Sequence, residues 1–112
     1  MRIHQNIVIG SKDYGRVNSR KNSNFYNEGK WRNYIEPLLP PDCKEMTFVE
    51  IGCNAGLFLK LAKKKGFKNV IGVEKDERIA KVAAEYVGDD ATVVHGAIDR
   101  NIYLDGQCSL LY

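Results

Sequence analysis

The apolar and polar positions of the chain follow two spacings, one typical of buried strands and the other of helices. Short runs rich in β-branched residues predict strands at 46–51, 69–74, 91–95 and 108–112. Apolar residues three and four positions apart predict helices between consecutive strands, at 55–65 and 77–87. Strands that alternate with helices indicate a parallel sheet with right-handed crossovers. The pattern therefore predicts an α/β fold for the larger, C-terminal part of the chain.

Residues at the ends of the two helices support these boundaries. Gly66 and Gly88 stand just past the helices, where glycine readily forms a C-cap. Asp76 stands just before the second helix and is a typical N-cap residue. The run Lys63–Lys65 falls in the last turn of the first helix, where cations offset the negative end of the helix dipole. The dipole explains this basic run without a nucleic-acid partner.

The N-terminal part divides into a basic leader and one amphipathic helix. Ile7–Ile9 is a short apolar run, and Gly10–Asn24 is rich in Gly, Ser, Asn, Lys and Arg, a composition typical of a mobile loop. We therefore predict a flexible basic segment at 1–24 and a folded domain at 25–112.

The predicted helix at 25–39 has one apolar stripe and a clear end. Its apolar residues at helical spacing are Trp31, Tyr34, Ile35 and Leu38. Pro40 and Pro41 follow and cannot continue a helix. We interpret the stripe as the face that packs against the sheet.

Length and charge indicate one small domain with a basic N-terminus. The chain has 112 residues and a net charge of +3, with +5 on residues 1–32 and −2 on the remainder. Such a segment could attract RNA or an acidic substrate. A solvated leader with scattered charges explains the asymmetry equally well.

The cysteines and histidines do not form a metal-binding pattern. Cys43, Cys53 and Cys108 show no C-x-x-C spacing and look like reduced intracellular thiols. His4 and His95 have no partner at metal-ligand spacing, so we predict no metal site. The sequence also lacks a membrane-helix run and a signal-peptide h-region, from which we expect a cytoplasmic protein with no membrane partner.

The most informative segment is Phe48–Gly56, Phe-Val-Glu-Ile-Gly-Cys-Asn-Ala-Gly, in which a strand, a tight turn and a helix follow one another. Gly52 and Gly56 allow a sharp turn and a close approach to a ligand. Glu74 ends the next strand, close to the interval at which a carboxylate binds a ribose diol in a doubly wound sheet. Asn54 stands where the dinucleotide fingerprint G-x-G-x-x-G has its second glycine, and its side chain would obstruct a diphosphate. A nicotinamide-dependent oxidoreductase therefore fits less well than a protein that binds a nucleoside without phosphates.

With Glu50, Gly52, Gly56 and Glu74 in place, the segment 48–112 resembles the class I S-adenosylmethionine-dependent methyltransferases. Their first motif reads acid-x-Gly-x-x-x-Gly, their second strand ends in an acid, and an Asn in place of the family's third glycine is a tolerated variant. The resemblance implies an α/β, doubly wound Rossmann-like parallel sheet with strand order 3-2-1-4-5, and S-adenosyl-L-methionine as the cofactor. A complete sheet has seven strands and the pattern here supplies about four, so we expect a truncated domain, the cofactor-binding half of an enzyme.

The resemblance implies that the cofactor-binding residues are Glu50, Gly52, Cys53, Asn54, Gly56, Glu74, Lys75, Ile98 and Asp99. Glu74 would accept hydrogen bonds from the two ribose hydroxyls. Gly52 and Gly56, which lack a Cβ atom, would leave room for the methionine tail and the ribose. Glu50 would either orient the turn by accepting backbone N–H bonds or face the amino group of the ligand, since a buried acid needs such a partner.

The remaining candidates follow the same resemblance. Cys53 and Asn54 would contact the cofactor mainly through their backbone. Ile98 would pack on the adenine, and Asp99 is either the acid that binds the adenine amino group or an ordinary loop acid. We expect His95 to be structural.

Methyl transfer requires little acid-base chemistry, because the sulfonium is already activated and the acceptor needs mainly to be held in line with the methyl group. In the family, the acceptor contacts usually follow the fourth strand, and no catalytic residue can be named here. We expect the chain alone to lack methyltransferase activity and to associate through the unpaired edge of 108–112. The alternative is a non-catalytic cofactor-binding module that acts through a partner.

Overall fold

The computed structural model of the chain describes residues 7–9, 12–14, 24–96 and 110–111. Within these ranges the strands are β1 (Ile7–Ile9), β2 (Lys12–Tyr14), β3 (Thr47–Ile51), β4 (Asn69–Glu74), β5 (Thr92–His95) and β6 (Leu110–Leu111). The α-helices are α1 (Asn24–Lys30), α2 (Leu57–Lys65) and α3 (Glu77–Val87). The predicted helix at 77–87 and strand at 69–74 have these bounds, and the elements predicted at 46–51, 55–65 and 91–95 begin later by one or two residues. Of the strand predicted at 108–112, the described residues are Leu110 and Leu111.

β3 is an interior strand of a parallel sheet with the order β5-β4-β3-β6. In this sheet Glu50 of β3 lies opposite Gly72 of β4, and Phe48 lies opposite Leu110 of β6. The order corresponds to the third, second, first and fourth predicted strands, so the predicted topology is confirmed. Because the strands are parallel, the carboxyl ends of β3 and β4 meet at one edge of the sheet.

A hairpin of β1 and β2 corrects the prediction of a loop from Gly10 to Asn24. Ile7 pairs with Tyr14 and Ile9 with Lys12 in an antiparallel register. The strands are separated by Gly10 and Ser11, residue types that favour a two-residue hairpin turn, and this signal was missed. The other residues of the predicted loop, apart from Asn24, lie outside the described ranges.

The N-terminal helix changes its pitch along its length, and this corrects the predicted apolar stripe. After α1, residues Trp31–Ile35 form a π-helical turn and Glu36–Leu38 a 3₁₀ turn. The amide of Glu36 donates to the carbonyl of Trp31, five residues earlier. A π turn contains more residues than an α turn, so positions three and seven after Trp31 rotate away from its face. Tyr34 and Leu38 are consequently 72% and 80% exposed, while Trp31 and Ile35 are buried.

The buried face of this helix packs on aromatic residues of the sheet layer, as the packing interpretation predicted. The Trp31 ring lies 5.8 Å from Phe48 in an edge-on contact and 5.8 Å from Phe58. Phe48 in turn lies 5.3 Å from Phe67, which follows α2. Trp31 also donates from Nε1 to Oε2 of Glu36 at 3.3 Å, which satisfies its polar atom. This cluster anchors the helix beside β3 and α2.

The predicted helix caps are confirmed. Asp76 accepts hydrogen bonds from the amides of Arg78 and Ile79 at the start of α3. The amide of Gly66 donates to the carbonyls of Ala62 and Lys63 at the end of α2. Gly88 caps α3 in the same way, through the carbonyl of Ala84. The caps fix where α2 ends and where α3 begins and ends.

Candidate functional site

The turn between β3 and α2 is held against the end of β4 by its own backbone. The amides of Gly52 and Cys53 both donate to the carbonyl of Val73, at 2.7 and 3.0 Å. Gly52, Asn54 and Gly56 have φ values of 74°, 50° and 93°, in the left-handed region that favours glycine. Asn tolerates this region better than most residues, which explains why Asn54 can replace the expected glycine.

The two glycines of the turn serve different purposes. A Cβ atom on Gly52 would have no neighbouring atom within 4 Å, apart from its chain neighbours, so this side of the turn is open. A Cβ atom on Gly56 would lie 2.9 Å from Cγ1 of Val87 and 3.6 Å from the Cβ of Ala83. The expectation that both glycines leave room for a ligand therefore needs correction at Gly56, whose missing side chain lets α3 pack against the turn.

Glu74 links the ends of β3 and β4. Its Oε1 accepts a hydrogen bond from the amide of Asn54 at 2.9 Å, and its Oε2 accepts one from the amide of Asp76 at 2.9 Å. The residue is only 7% exposed. The sequence suggested that Glu74 would accept hydrogen bonds from the hydroxyl groups of a ligand. The two bonds from backbone amides were not predicted. Each carboxylate oxygen has two lone pairs, so both oxygens can accept a second donor at this edge of the sheet.

Glu50 is a buried acid on the same face of the sheet as Glu74. It lies opposite Gly72, two residues before Glu74, and side chains two positions apart share a face. Its exposed fraction is 4%, and its Oε1 is enclosed without a hydrogen-bond partner among the described residues. Burial, and then the nearby carboxylate of Glu74, raise the pKa of Glu50 well above its ordinary value. Two roles were predicted for Glu50, to accept backbone N–H bonds or to face the amino group of the ligand. Its Oε1 accepts no backbone N–H bond from the described residues.

Cys53 is a member of the buried core and is influenced by both of these acids. Its side chain is buried, and its Sγ lies 3.6 Å from the carbonyl oxygen of Asn54. Burial raises the pKa of the Cys53 thiol to about 12, with further contributions from Glu50 and Glu74. The thiol therefore stays protonated and behaves as a small core side chain. Contact of Cys53 with a ligand mainly through its backbone stays a prediction.

The remaining predicted site residues are placed as follows. Lys75 is exposed at the end of β4, and its carbonyl oxygen lies 3.1 Å from Nε2 of His95. This contact ties the end of β5 to the turn after β4, which supports a structural role for His95. Ile98 and Asp99 lie outside the described residues.

The part of the chain that the structure describes has neither a metal-binding cluster nor a membrane-spanning helix. No group of three or more His, Cys, Asp or Glu residues there could hold a metal ion. No helix among the described residues combines the length and the apolar character that crossing a membrane would require.

The fold and the turn have counterparts in known proteins, although no model of a protein family matches the sequence. Two crystal structures of S-adenosylmethionine-dependent methyltransferases are similar. The one from Listeria monocytogenes has a TM-score of 0.57 and 24% identity, over 70% of this chain and 36% of that one. The one from Mesorhizobium loti has a TM-score of 0.58 and 23% identity, over 75% of this chain and 38% of that one. The chain has the fold of the S-adenosylmethionine-dependent methyltransferases.

A sequence relative agrees with this fold. The type II methyltransferase M.VspI of Vibrio sp. (strain 343) is 34% identical over 68 residues, which are 59% of this chain and 17% of the relative. The chain thus spans less than a fifth of that relative and little more than a third of the two structures. The prediction of a partial Rossmann-like methyltransferase domain is confirmed as a fold.

Proposed function

We propose that the chain binds S-adenosyl-L-methionine as the cofactor-binding part of a class I methyltransferase. The observation that carries the proposal is Glu74, a buried carboxylate that is fixed by the amide of Asn54 at the carboxyl edge of the sheet. Beside it, the turn is open at Gly52. In a doubly wound sheet, ligands bind at this edge, and an acid after the second strand binds the ribose.

The polar groups of the turn fit the separate parts of this cofactor. Glu74 would accept the two ribose hydroxyls with the lone pairs that its backbone bonds leave over. The enclosed Oε1 of Glu50 would accept a bond from the ammonium of the amino-acid tail, which is the donor that it lacks within the described chain. Cys53 and Asn54 would line the ligand with their backbone, Gly52 would leave it room, and Gly56 would set the turn on α3.

The chemistry of the reaction places few demands on these residues. When bound, the cofactor supplies an activated methyl group to a nucleophilic acceptor. The residues of this chain would bind the nucleoside, fix the direction of the tail and exclude water from the turn, which sets the position of the sulfonium. The proposed reaction is attack of the acceptor in line with the methyl carbon, and the acceptor is unidentified.

Several finer features stay predictions. Adenine binding by Ile98 and Asp99, contact with Lys75, recognition of RNA by the basic segment and a cytoplasmic location are all untested. The expected lack of activity of the chain alone, and its association through the edge of β6, also stay predictions.

A non-catalytic cofactor-binding module is the second candidate. The titratable groups that the described residues bring to the turn are Glu50, Cys53 and Glu74, and our proposal uses the acids for binding and leaves the thiol protonated. Both candidates bind the cofactor, and they differ in whether a methyl group is transferred.

Isothermal titration calorimetry with S-adenosylhomocysteine and with NAD tests the proposal on the 112-residue chain. We expect the nucleoside thioether to bind, NAD to show no comparable binding, and Glu74→Ala to weaken the first interaction. Glu45→Ala is the matched control, because that carboxylate is exposed in the loop before β3. Equal affinity in wild type and Glu74→Ala would remove Glu74 from the site, and preference for NAD would overturn the proposal.

A further inference from the structure

Oε1 of Glu50 has no hydrogen-bond partner among the described residues that would explain a carboxyl oxygen at its position. Glu50 lies within β3, with 4% of its surface exposed. A buried carboxylate is normally tolerated only when it is paired or hydrogen-bonded, or when it is neutralised by a proton. The structure therefore raises the question of which state Glu50 adopts, and what changes that state.

We propose that Glu50 is a neutral carboxylic acid in the ligand-free chain, and that the ammonium group of the cofactor's amino-acid tail takes the place of its proton on binding. The inference rests on the proposed function, since it needs a ligand with an ammonium group at this turn. It goes beyond that function because it makes cofactor binding a proton-releasing equilibrium.

The surroundings of Glu50 favour the neutral acid. Burial disfavours the charged form of Glu50, and the nearby carboxylate of Glu74 on β4 repels a second negative charge, so both raise the pKa of Glu50. The Cys53 thiol in the turn is itself influenced by both acids. Although α1 and α2 carry lysines, no cation of the described chain offsets these two causes.

Glu74 differs from Glu50 because each of its carboxyl oxygens has a hydrogen-bond donor. Its Oε1 accepts the amide hydrogen of Asn54, and its Oε2 accepts that of Asp76. Two neighbouring carboxyl groups in a buried site do not readily ionise together. Glu50, which has the unpartnered oxygen, is therefore the member of the pair that keeps its proton.

An ammonium group beside Glu50 would stabilise its ionised form, because a nearby positive charge favours the carboxylate. When the ammonium group of the tail arrives, the O–H bond of Glu50 breaks and its proton passes to solvent. The carboxylate that remains accepts a hydrogen bond from the ammonium, which keeps its own protons. Charge balances, because the neutral acid and the zwitterionic tail of S-adenosylhomocysteine give a complex with one negative charge and one proton in solvent. A ligand with the same nucleoside but no ammonium leaves the proton in place.

Calorimetric titration in buffers of different ionisation enthalpy measures the number of protons released. For S-adenosylhomocysteine we expect a release approaching one proton per ligand at pH values below the raised pKa of Glu50, and in that range an apparent affinity that rises by up to about tenfold per pH unit. We expect 5′-methylthioadenosine, which keeps the nucleoside and lacks the amino-acid tail, to bind without proton release. Glu50→Gln should bind S-adenosylhomocysteine without proton release and with an affinity that does not change with pH.

The outcomes separate this inference from the proposed function. Binding of S-adenosylhomocysteine without proton release by the wild-type chain would overturn the inference and leave the proposed function standing. Equal release with the two ligands would also overturn it, and this comparison does not depend on the folding of Glu50→Gln. Failure of the wild-type chain to bind either nucleoside would overturn both proposals.

Discussion

Oε1 of Glu74 accepts a hydrogen bond from the backbone amide of Asn54 at 2.9 Å, and this bond joins the end of β4 to the turn after β3. The two residues are 20 positions apart in the chain. The acid that the sequence suggested as a ligand contact is thus also part of the support of the turn. Binding and folding are therefore linked at Glu74, and a substitution there should alter both.

Replacement of Glu74 by glutamine should lower the stability of the chain and its affinity for S-adenosylhomocysteine together. The amide NH₂ of glutamine would face one of the two backbone donors and leave it unsatisfied. A hydrogen bond to a charged group is worth about 1.5–3 kcal/mol, and we expect a loss of this size in the free energy of unfolding. Urea denaturation measures the first effect and calorimetry the second.

Glu45→Gln is the control for this substitution. Glu45 forms an exposed ion pair with Lys68 at 3.5 Å, and exposed pairs contribute little. We expect its free energy of unfolding to stay within about 0.5 kcal/mol of the wild type. A Glu74→Gln chain as stable as this control would show that the bonds to Asn54 and Asp76 do not support the turn.

Alanine at Gly52 and at Gly56 should separate ligand binding from packing. Both positions have a positive φ, so alanine carries a backbone strain of about 1–2 kcal/mol at either. At Gly56 the new Cβ would also lie 2.9 Å from Cγ1 of Val87, and overpacking adds about 1–3 kcal/mol. Gly56→Ala should thus be the less stable chain. Gly52→Ala should lose more affinity for S-adenosylhomocysteine than its stability explains, and the reverse order of stabilities would contradict this assignment.

Local chemistry made most of the fold predictable from the sequence. Asp76 and Gly66 mark helix ends because capping depends on neighbouring backbone groups alone. The alternation of strands and helices predicted a parallel sheet, and the family resemblance implied its strand order. The role of Gly56 could not be predicted, because Val87 reaches it only after α3 has packed on the turn. The bond from Asn54 to Glu74 depends in the same way on the tertiary structure.

The π turn also depends on tertiary packing. Residues are assigned to one face of a helix from their spacing, on the assumption that the helix has the α-helical number of residues per turn. The π-helical turn that begins at Trp31 contains more residues per turn, so this assignment is wrong for the residues that follow. Contacts of Trp31 with Phe48 and Phe58 accompany the wider turn. Neither contact can be inferred from the spacing within the helix.

Substitutions along the N-terminal helix should report this change of pitch. Ile35→Ala removes a buried side chain and should lower the free energy of unfolding by about 2–5 kcal/mol. Leu38→Ala removes a side chain that is 80% exposed, and its effect should stay within about 0.5 kcal/mol. Urea denaturation compares the two variants directly. Equal losses would support a regular α-helix with both residues in the core.

The Cys53 thiol should resist alkylation in the native chain. Its pKa of about 12 leaves almost no thiolate near neutral pH, and burial blocks access to the reagent. Mass spectrometry of peptides after iodoacetamide treatment should show modification of Cys53 only slowly, and rapidly once urea unfolds the chain. Rapid native modification would mean that the turn opens readily or that the thiol is ionised.

The stability of the ligand-free chain should fall as the pH rises, because of Glu50. Its pKa is higher in the folded chain than the ordinary value of 4.5, so the folded state binds more protons than the unfolded state between the two values. In that window the free energy of unfolding falls with increasing pH, by up to about 1.4 kcal/mol per pH unit. Glu50→Gln, which mimics the neutral acid, should lose this slope and be more stable than the wild type near neutral pH. Glu85→Gln, an exposed change on α3, should keep the wild-type slope. Urea denaturation between about pH 4.5 and 7.5 measures all three slopes, and parallel curves for wild type and Glu50→Gln would show that Glu50 is ionised in the folded chain or titrates as it does when unfolded.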